Sequence, residues 1–484
     1  MVSTRTVSRR IGLPTLLACT VSLAVSGCIV SRVDPQKPEL PLPEALPAQS
    51  ATATQLPDPW WKIFADPTLD QLVDEALLHN PDVTVAAARV AEARAGLRIT
   101  TAARFPTVDL QASATRSKDS ALVNTFPGVP LQGNVYSVQG AVGYELDLWG
   151  KYLRASQSAR AQLLNTEFGR EATKLSLTGD VARGYFGLIA AAEQLARGRD
   201  TLGSREESLR LEKLRFDAGE SDEFTYKRAE ADAAATRKSV HQLELELAQR
   251  TNFLGVLLGR SPKALVENAI ASPGTELPAA VTLPAALPSA VMERRPDIGA
   301  AEASLFAAAA DIGVARAQLF PSISITGAYG SISTELDDLF TKPSEAWSIA
   351  GSLLQPIFEG GRLRANVSRA EAVREQRKAE YAKTVQDAFR EVLDALQGQV
   401  SIAGVSDANA QQVAALSRAT ELAELRYKQG DIAYLELLDV RRGLYQAQID
   451  LVAAQRDALL NTVDLALAVG GGLGERAEPL SSRR

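Results

Sequence analysis

Cys28 is the residue whose type and position most clearly predict a covalent reaction. It follows three small or apolar residues, 25–27, and an arginine-containing start with an apolar stretch from Ile11 to Val25. These features are typical of a secretory signal, and the stretch is too short to span a membrane permanently. Cleavage before Cys28 would remove Cys19 and leave a single thiol at the new N-terminus. This excludes an internal disulfide and suits acylation of Cys28.

Residues 25–28 resemble the bacterial lipobox, which implies that Cys28 receives a diacylglyceryl group and then an N-acyl chain. Ile29 follows, rather than the aspartate that typically retains such lipoproteins at the inner membrane. The resemblance therefore implies the outer membrane of a Gram-negative bacterium. There are two alternatives. One is an ordinary cleaved signal with a chance cysteine, and the other is a twin-arginine signal at Ser8–Arg10. Seven prolines between residues 29 and 59 favour an extended tether.

The remaining composition argues against several classes of protein. Loss of residues 1–27 removes three arginines and no acid, so the net charge of −6 becomes −9. Such an acidic chain is a poor nucleic-acid binder. His79 and His241 cannot build a metal cluster alone, and we find no P-loop, nucleophile elbow or zinc-helix motif. We expect no enzyme, and no cofactor apart from the lipid on Cys28.

The chain contains an internal repeat. Residues 80–83 (NPDV) match 295–298 (RPDI), and Phe105-Pro106 matches Phe320-Pro321, each 215 residues later. Residues 215–219 match 426–430 at an offset of 211, which places the extra residues in a loop of the first copy. The predicted divisions are a signal (1–27), a tether (28–59), a first repeat (60–262), a linker (263–287), a second repeat (288–472) and a tail (473–484).

Each repeat predicts a helix, two strands, a very long helix, a turn and another long helix. The first helices are predicted at 68–104 and 288–319, and each ends near a Phe-Pro pair. Strands are predicted at 107–115 and 135–148, where apolar and polar residues alternate. In the second repeat Ile323, Ile325 and Tyr329 share one face, as do Trp347, Ile349 and Leu353.

These strands have two explanations, a soluble sandwich or a membrane barrel with apolar residues toward lipid. Four strands cannot close a barrel, and open edges are not tolerated in lipid. Spanning strands would therefore have to be pooled from two or three chains. Trp149, Trp347 and Phe358 lie near strand ends, where an interfacial aromatic belt is expected. Ordinary packing would explain each of them equally well.

The predicted long helices, 151–217 and 361–428, contain no proline. At 1.5 Å per residue each would reach ~100 Å. Small and apolar residues recur at threes and fours from Leu363 to Gln399, as in a coiled coil. Gly219 and Gly430 permit tight turns, after which partner helices return. The sequence predicts two long helical hairpins that project into the periplasm.

These features together resemble the TolC-type outer-membrane channels, and most nearly their lipidated OprM/NodT-like efflux members. The resemblance covers nearly the whole mature chain. It rests on Trp60-Trp61 with Phe64 and Asp66, on 145–151 (ELDLWGK), on Gly360-Gly361-Arg362, and on 426–430 (RYKQG) followed by 434–439 (YLELLD).

The resemblance implies a fold and a function. The fold would be an α+β membrane protein, a homotrimer whose twelve-stranded barrel takes four strands from each chain and continues into a periplasmic α-helical barrel. The function would be conduction in a tripartite efflux pump that exports small molecules, with a periplasmic membrane-fusion adaptor and an inner-membrane transporter of the resistance-nodulation-division type.

The resemblance also implies a gate at the periplasmic tip. Matched by position, the constricting residues would be Leu435, Glu436 and Asp439, just past the turn at Gly430. Leu435 and Asp439 are four residues apart and share a helix face. The alternative is that the two acids merely favour the start of a helix near Asp431.

Secretion-type members have polar residues that lock the closed state, and two of these are replaced here by Thr225 and Ile432, although Tyr427 is present. The alternatives for function are a type I protein-secretion channel and a non-conducting coiled-coil lipoprotein that stiffens the envelope. The alternating strands argue against a simple rod.

Overall fold

A computed structural model describes residues 33–38, 40–41, 59–120, 122, 131–267, 276–279, 281 and 294–471. Cys28, the signal, most of the tether and the tail lie outside these residues. The chain divides into two compact units. The first comprises Met1–Pro38, Ala91–Asn165 and Ala301–Tyr381, and the second Glu39–Val90, Thr166–Ala300 and Ala382–Arg484.

A four-stranded antiparallel sheet dominates the first unit. The strands are β1 (Thr107–Lys118), β2 (Gln132–Glu145), β3 (Ser322–Ser333) and β4 (Glu345–Leu354), in the order β1-β2-β3-β4. Each repeat thus supplies one hairpin, and β2 pairs with β3 to join them. β1 and β4 are left as the two edges of this sheet. The predicted strands exist, but β2 is displaced toward the N-terminus, because Asp147 caps the following helix.

The register sorts the side chains onto two faces. Leu110, Gly140, Tyr329 and Trp347 are aligned across the four strands on the apolar face. On the other face the Ser113 and Ser137 hydroxyls are 2.8 Å apart, and those of Ser324 and Ser352 are 2.7 Å apart. The predicted separation of apolar and polar faces is confirmed in all four strands.

Helices precede and follow the strand pair of each repeat. They are a 3-10 turn (Trp60–Phe64), α1 (Pro67–His79), α2 (Pro81–Ala102), α3 (Lys151–Asp217), α4 (Glu223–Leu257), α5 (Pro262–Val266), α6 (Pro296–Ala317), α7 (Arg362–Gln429) and α8 (Tyr434–Ala468). The long helices α3 and α7 have nearly the predicted bounds. Only α6, among the helices described, is long and apolar enough to cross a bilayer, and half of its apolar window is buried, as in a core helix.

The single first helix predicted at 68–104 is wrong. Pro81 disfavours helical backbone at Asn80, so the chain forms two helices with Asn80 between them. The Asn80 side chain accepts a hydrogen bond from the Asp82 amide at 2.7 Å and donates to the Leu257 carbonyl at 2.9 Å. In the second repeat, the described helix begins only at Pro296.

The second unit has the larger apolar core. Trp60, Phe186, Leu254 and Leu459 are fully buried in it. The Trp60 indole donates to the Thr178 hydroxyl at 3.1 Å. Asp66 caps α1, and its second carboxylate oxygen accepts from the Tyr185 hydroxyl at 2.8 Å. The Trp-Trp, Phe and Asp residues near the start of the first repeat therefore anchor this core.

Candidate functional site

The two hairpin turns are built alike. α3 and α7 are each followed by a glycine at positive φ, 79° for Gly219 and 83° for Gly430. In each turn the amide of the glycine and the amide after it bond back to carbonyls near the helix end, for example Glu220 to Arg215 at 2.8 Å and Asp431 to Arg426 at 2.9 Å. Glycine adopts this left-handed backbone without steric cost, so both turns occur where the sequence predicts them.

The three predicted gate residues lie at the beginning of α8. Leu435 is 49% exposed, and Glu436 and Asp439 are also exposed, whereas Leu437 and Leu438 are buried. Neither carboxylate has an ion-pair partner among the described side chains. Both therefore remain solvated charges on the helix surface beside Leu435.

The position of the helix start separates the two explanations of these acids. α8 begins at Tyr434 rather than near Asp431, because Asp431 belongs to the turn. Glu436 lies in the first turn, where a negative charge stabilises the helix dipole. Asp439 lies beyond the first turn, so the dipole does not account for it.

A polar cluster around Tyr427 connects the α3–α4 hairpin to the α7–α8 hairpin. The Tyr427 hydroxyl donates to Glu212 at 2.6 Å and accepts from Arg215 at 3.0 Å. Burial, and then the Glu212 carboxylate, raise the pKa of Tyr427 well above its usual range. The neutral phenol is thus the form that these contacts favour.

A second cluster is centred on Asp232 of α4. Its carboxylate lies 2.9 Å from Arg442 Nε of α8 and 3.0 Å from Arg205 Nε of α3, and the Asp232 and Arg205 side chains are almost fully buried. Of these two contacts, only the one to Arg442 has the geometry of a hydrogen bond. Burial lowers the pKa of Arg205, although Asp232 opposes this effect.

Arg441 adds a third connection between the hairpins. It pairs with Glu424 at 2.6 Å and donates to the Ser208 hydroxyl at 2.9 Å. Thr225 instead makes a local contact, since its amide bonds to Asp222, the N-cap of α4. Sequence reasoning missed these contacts because the partners are far apart in the chain. Charged residues at helix positions that the periodicity predicts to be apolar could have indicated these contacts.

The strand–helix junction explains the ELDLWGK sequence. Glu145 at the end of β2 accepts from Lys151 at 3.0 Å and from the Tyr152 hydroxyl at 2.7 Å. Asp147 accepts from the Tyr152 and Leu153 amides and so caps α3. Gly150 has a positive φ of 76°. The sequence therefore ends a strand and begins a long helix within a few residues.

The three predicted interface aromatics differ in their surroundings. The Trp149 indole donates to the Pro321 carbonyl at 2.6 Å and stacks on Phe320 with ring centroids 4.8 Å apart. These contacts fix the position of the Trp149 ring. Trp347 and Phe358 are 72% and 88% exposed, and an interfacial role stays a prediction for all three residues.

Two repeats of a β-hairpin and a long helical hairpin, with an exposed acidic cluster beside the tip turn, define a channel subunit of the TolC type. The sequence matches the outer membrane efflux protein family over residues 72–260 and 287–471. The chain belongs to this family, and its predicted function as an outer-membrane efflux channel is confirmed.

Individual relatives match along nearly their whole length. The chain is 32% identical over 462 residues to the cation efflux system protein CusC of Escherichia coli O6:H1, which covers 94% of this chain and 98% of CusC. It is 36% identical over 460 residues to the solvent efflux pump outer membrane protein SrpC of Pseudomonas putida, covering 93% and 96%.

The fold matches solved channels equally well. The structure of the Campylobacter jejuni CmeC outer membrane channel aligns with a TM-score of 0.85 at 26% identity, covering 91% of this chain and 96% of CmeC. A structure of CusC aligns with a TM-score of 0.79 at 31% identity, covering 91% and 99%. The predicted α+β channel fold is confirmed.

Proposed function

We propose that three copies of this chain form the exit duct of a tripartite efflux pump that exports small molecules. The observation that carries the proposal is the sheet, which has one polar face, one apolar face and two unpaired edges, β1 and β4. In lipid an open edge leaves backbone groups without partners, at several kcal/mol for each. Three chains would supply twelve strands and close the barrel, with the polar faces toward the water-filled interior.

The partners would be a periplasmic membrane-fusion adaptor and an inner-membrane transporter of the resistance-nodulation-division type. Support comes from the relatives, which are described as components of cation and solvent efflux systems. The lipid on Cys28 would add a second attachment to the outer membrane. No step in this function requires catalysis by the chain.

Leu435, Glu436 and Asp439 would form the periplasmic gate. Because the trimer contains three copies of the chain, each substitution changes three positions around its axis. Neighbouring carboxylates in a narrow pore attract cations together, whereas a ring of leucines opposes the passage of water and ions. Opening would require the α7–α8 hairpin to move from the α3–α4 hairpin, and so would break the contacts of Arg442 and Tyr427.

Single-channel recording in planar bilayers tests this gate. Asp439→Ala with Glu436→Ala should reduce the preference for cations and the block by multivalent cations, and Leu435→Ala should raise the conductance. Glu230→Ala is the matched control, because Glu230 is an exposed acid of α4 paired with Lys227. If the acid variant and the Leu435 variant both conduct like the parent, these three side chains do not line the constriction. If the parent forms no pore, the channel proposal itself fails.

Drug sensitivity identifies the pump. Deletion of this gene should sensitise cells to the same compounds as deletion of the cognate transporter gene. A protein-secretion channel would instead abolish export of a polypeptide and leave drug sensitivity unchanged.

A further inference from the structure

One end of the sheet is connected to the helices, and charged residues lie at this end. The proposed conduction of small molecules assigns no role to these charges. β1 and β3 begin at this end, at Thr107 and Ser322, and β2 and β4 finish there, at Glu145 and Leu354. In the proposed channel this end meets the periplasmic leaflet of the outer membrane, where phospholipid headgroups form a layer ~5–7 Å thick.

Three cations near this end are already neutralised. Lys151, after β2, pairs with Glu145 at 3.0 Å, and Arg316, before β3, pairs with Glu371 at 2.8 Å. Arg362 pairs with Glu359. These three acids are thereby occupied. Next to the strand ends Asp109 and Asp147 remain as acids without an ion-pair partner among the described residues, so three further arginines leave a net positive charge.

Three arginines next to the edge strands are such cations. Arg98 and Arg104 precede β1, Arg364 follows β4, and none of them has an ion-pair partner among the described residues. Their side chains lie on the surface. Arg104 is three residues before Thr107, so the chain places its Cα within ~10 Å of the strand. An arginine side chain at that distance reaches the headgroup layer.

Large apolar side chains stand beside these arginines. Phe105 is 65% exposed next to Arg104, and Ile357 and Phe358 are 89% and 88% exposed between β4 and Arg364. The apolar face of the edge strands is also exposed, with Leu110 at 79% and Leu353 at 66%. Aromatic and aliphatic groups that enter the acyl boundary, with cations reaching the phosphates, are typical of a membrane-interface surface.

We propose that Arg98, Arg104, Phe105, Ile357, Phe358 and Arg364, here called the edge surface, bind the headgroup of an anionic phospholipid of the periplasmic leaflet. This inference rests on the proposed trimer, because closure of the barrel brings β4 of one subunit beside β1 of the next. Arg364 of one subunit and Arg104 of its neighbour then flank one seam. Two guanidinium groups match the oxygens of a phosphodiester, and three equivalent seams give three lipid sites.

A lipid fits this surface better than a protein segment does. In the proposed channel the phosphates of this leaflet would lie near the depth of Arg104, and exposed apolar side chains lie beside the arginines in sequence. Each arginine near an anionic leaflet strengthens binding about fivefold, so loss of two should weaken it by at least about tenfold.

Native mass spectrometry of the purified full-length protein tests the inference. Phosphatidylglycerol and phosphatidylethanolamine are titrated separately against the parent, and the bound lipids per trimer are counted. We expect up to three tightly bound phosphatidylglycerol molecules and weaker binding of phosphatidylethanolamine. Arg104→Gln with Arg364→Gln should weaken phosphatidylglycerol binding at least about tenfold without loss of the trimer.

The matched control is Arg377→Gln with Arg418→Gln, which removes the same charge from two exposed arginines of α7 that are paired with Glu380 and Glu421. Equal weakening in this control would overturn the edge surface as the site. Displacement of the lipid by an equal concentration of glycerol phosphate would show that a free phosphate is sufficient, and would also overturn it. If the Arg104/Arg364 variant dissociates into monomers, these arginines bind the neighbouring subunit rather than a lipid, and the inference is wrong. A parent that is not trimeric contradicts the proposed function, and this is read from its mass before any lipid is added.

Discussion

At the scale of single residues, Asp232 is the group whose loss should cost most. Replacement by alanine leaves the buried Arg205 guanidinium without its counter-ion and also removes the contact to Arg442. Breaking a buried pair in this way typically costs about 3–5 kcal/mol. We expect Asp232→Ala to lower the thermal denaturation midpoint clearly and to sensitise cells to large antibiotics that the outer membrane normally excludes.

Glu230→Ala provides the comparison for this prediction, because it breaks an exposed pair in the same helix, which is worth about 0–1 kcal/mol. If Asp232→Ala and Glu230→Ala denature at the same temperature, the Asp232 cluster does not hold the hairpins together.

Tyr185 makes stability depend on alkaline pH. Burial, and then the contact with Asp66, raise the pKa of Tyr185 from 10.0 to about 12. A raised pKa favours the protonated folded form, so this contribution is complete below about pH 10, the pKa of an unfolded tyrosine, and is lost as the pH rises toward 12. Tyr185→Phe should therefore be less stable at neutral pH and should lose less stability above pH 10. Denaturation at a series of pH values measures this, and parallel curves for parent and variant would contradict it.

At the scale of secondary-structure elements, the junction between α1 and α2 depends on the side chain of Asn80. This side chain is buried and bonds both to the first turn of α2 and to the end of α4. Asn80→Ala should destabilise the protein by about 1–2 kcal/mol, as loss of a helix cap does. Asn409→Ala is the control, since its exposed amide makes one longer bond of 3.3 Å. Equal denaturation midpoints would show that Pro81 alone sets the break.

This junction also shows where sequence reasoning stops. The strands, the long helices and the glycine turns follow from local rules, such as alternation, the absence of proline and positive φ. Those rules place β1 to β4, α3, α7, Gly219 and Gly430 nearly as observed. The break at Asn80 and the start of α8 at Tyr434 depend on side-chain bonds at the helix ends, and the Asp232 cluster depends on contacts between distant segments. Periodicity contains no information on either.

At the scale of the whole molecule, we expect membrane attachment to have two independent sources. The apolar strand face provides one, since Leu110, Ile349 and Leu353 are all largely exposed. The lipid predicted on Cys28 provides the other, and mass spectrometry of the mature N-terminus should show an acylated cysteine there. The diacylglyceryl and N-acyl groups would together supply three acyl chains, enough for stable anchoring, and a closed barrel is held independently by all of its strands.

Removal of the acyl group should therefore leave a working channel. We expect Cys28→Ala, exported with a replacement signal, to fractionate with the outer membrane, to have the mass of a trimer in detergent and to conduct in planar bilayers. Its assembly should be slower, because the chain loses the anchor that keeps unpaired strands near the membrane, and pulse-labelling measures this rate. Without the acyl chains, pairing of β1 of one subunit with β4 of the next must be sufficient to assemble the barrel in the membrane. A Cys28→Ala protein that stays in the periplasm as a monomer would show that strand pairing needs the anchor, and that the two modes of attachment are not independent.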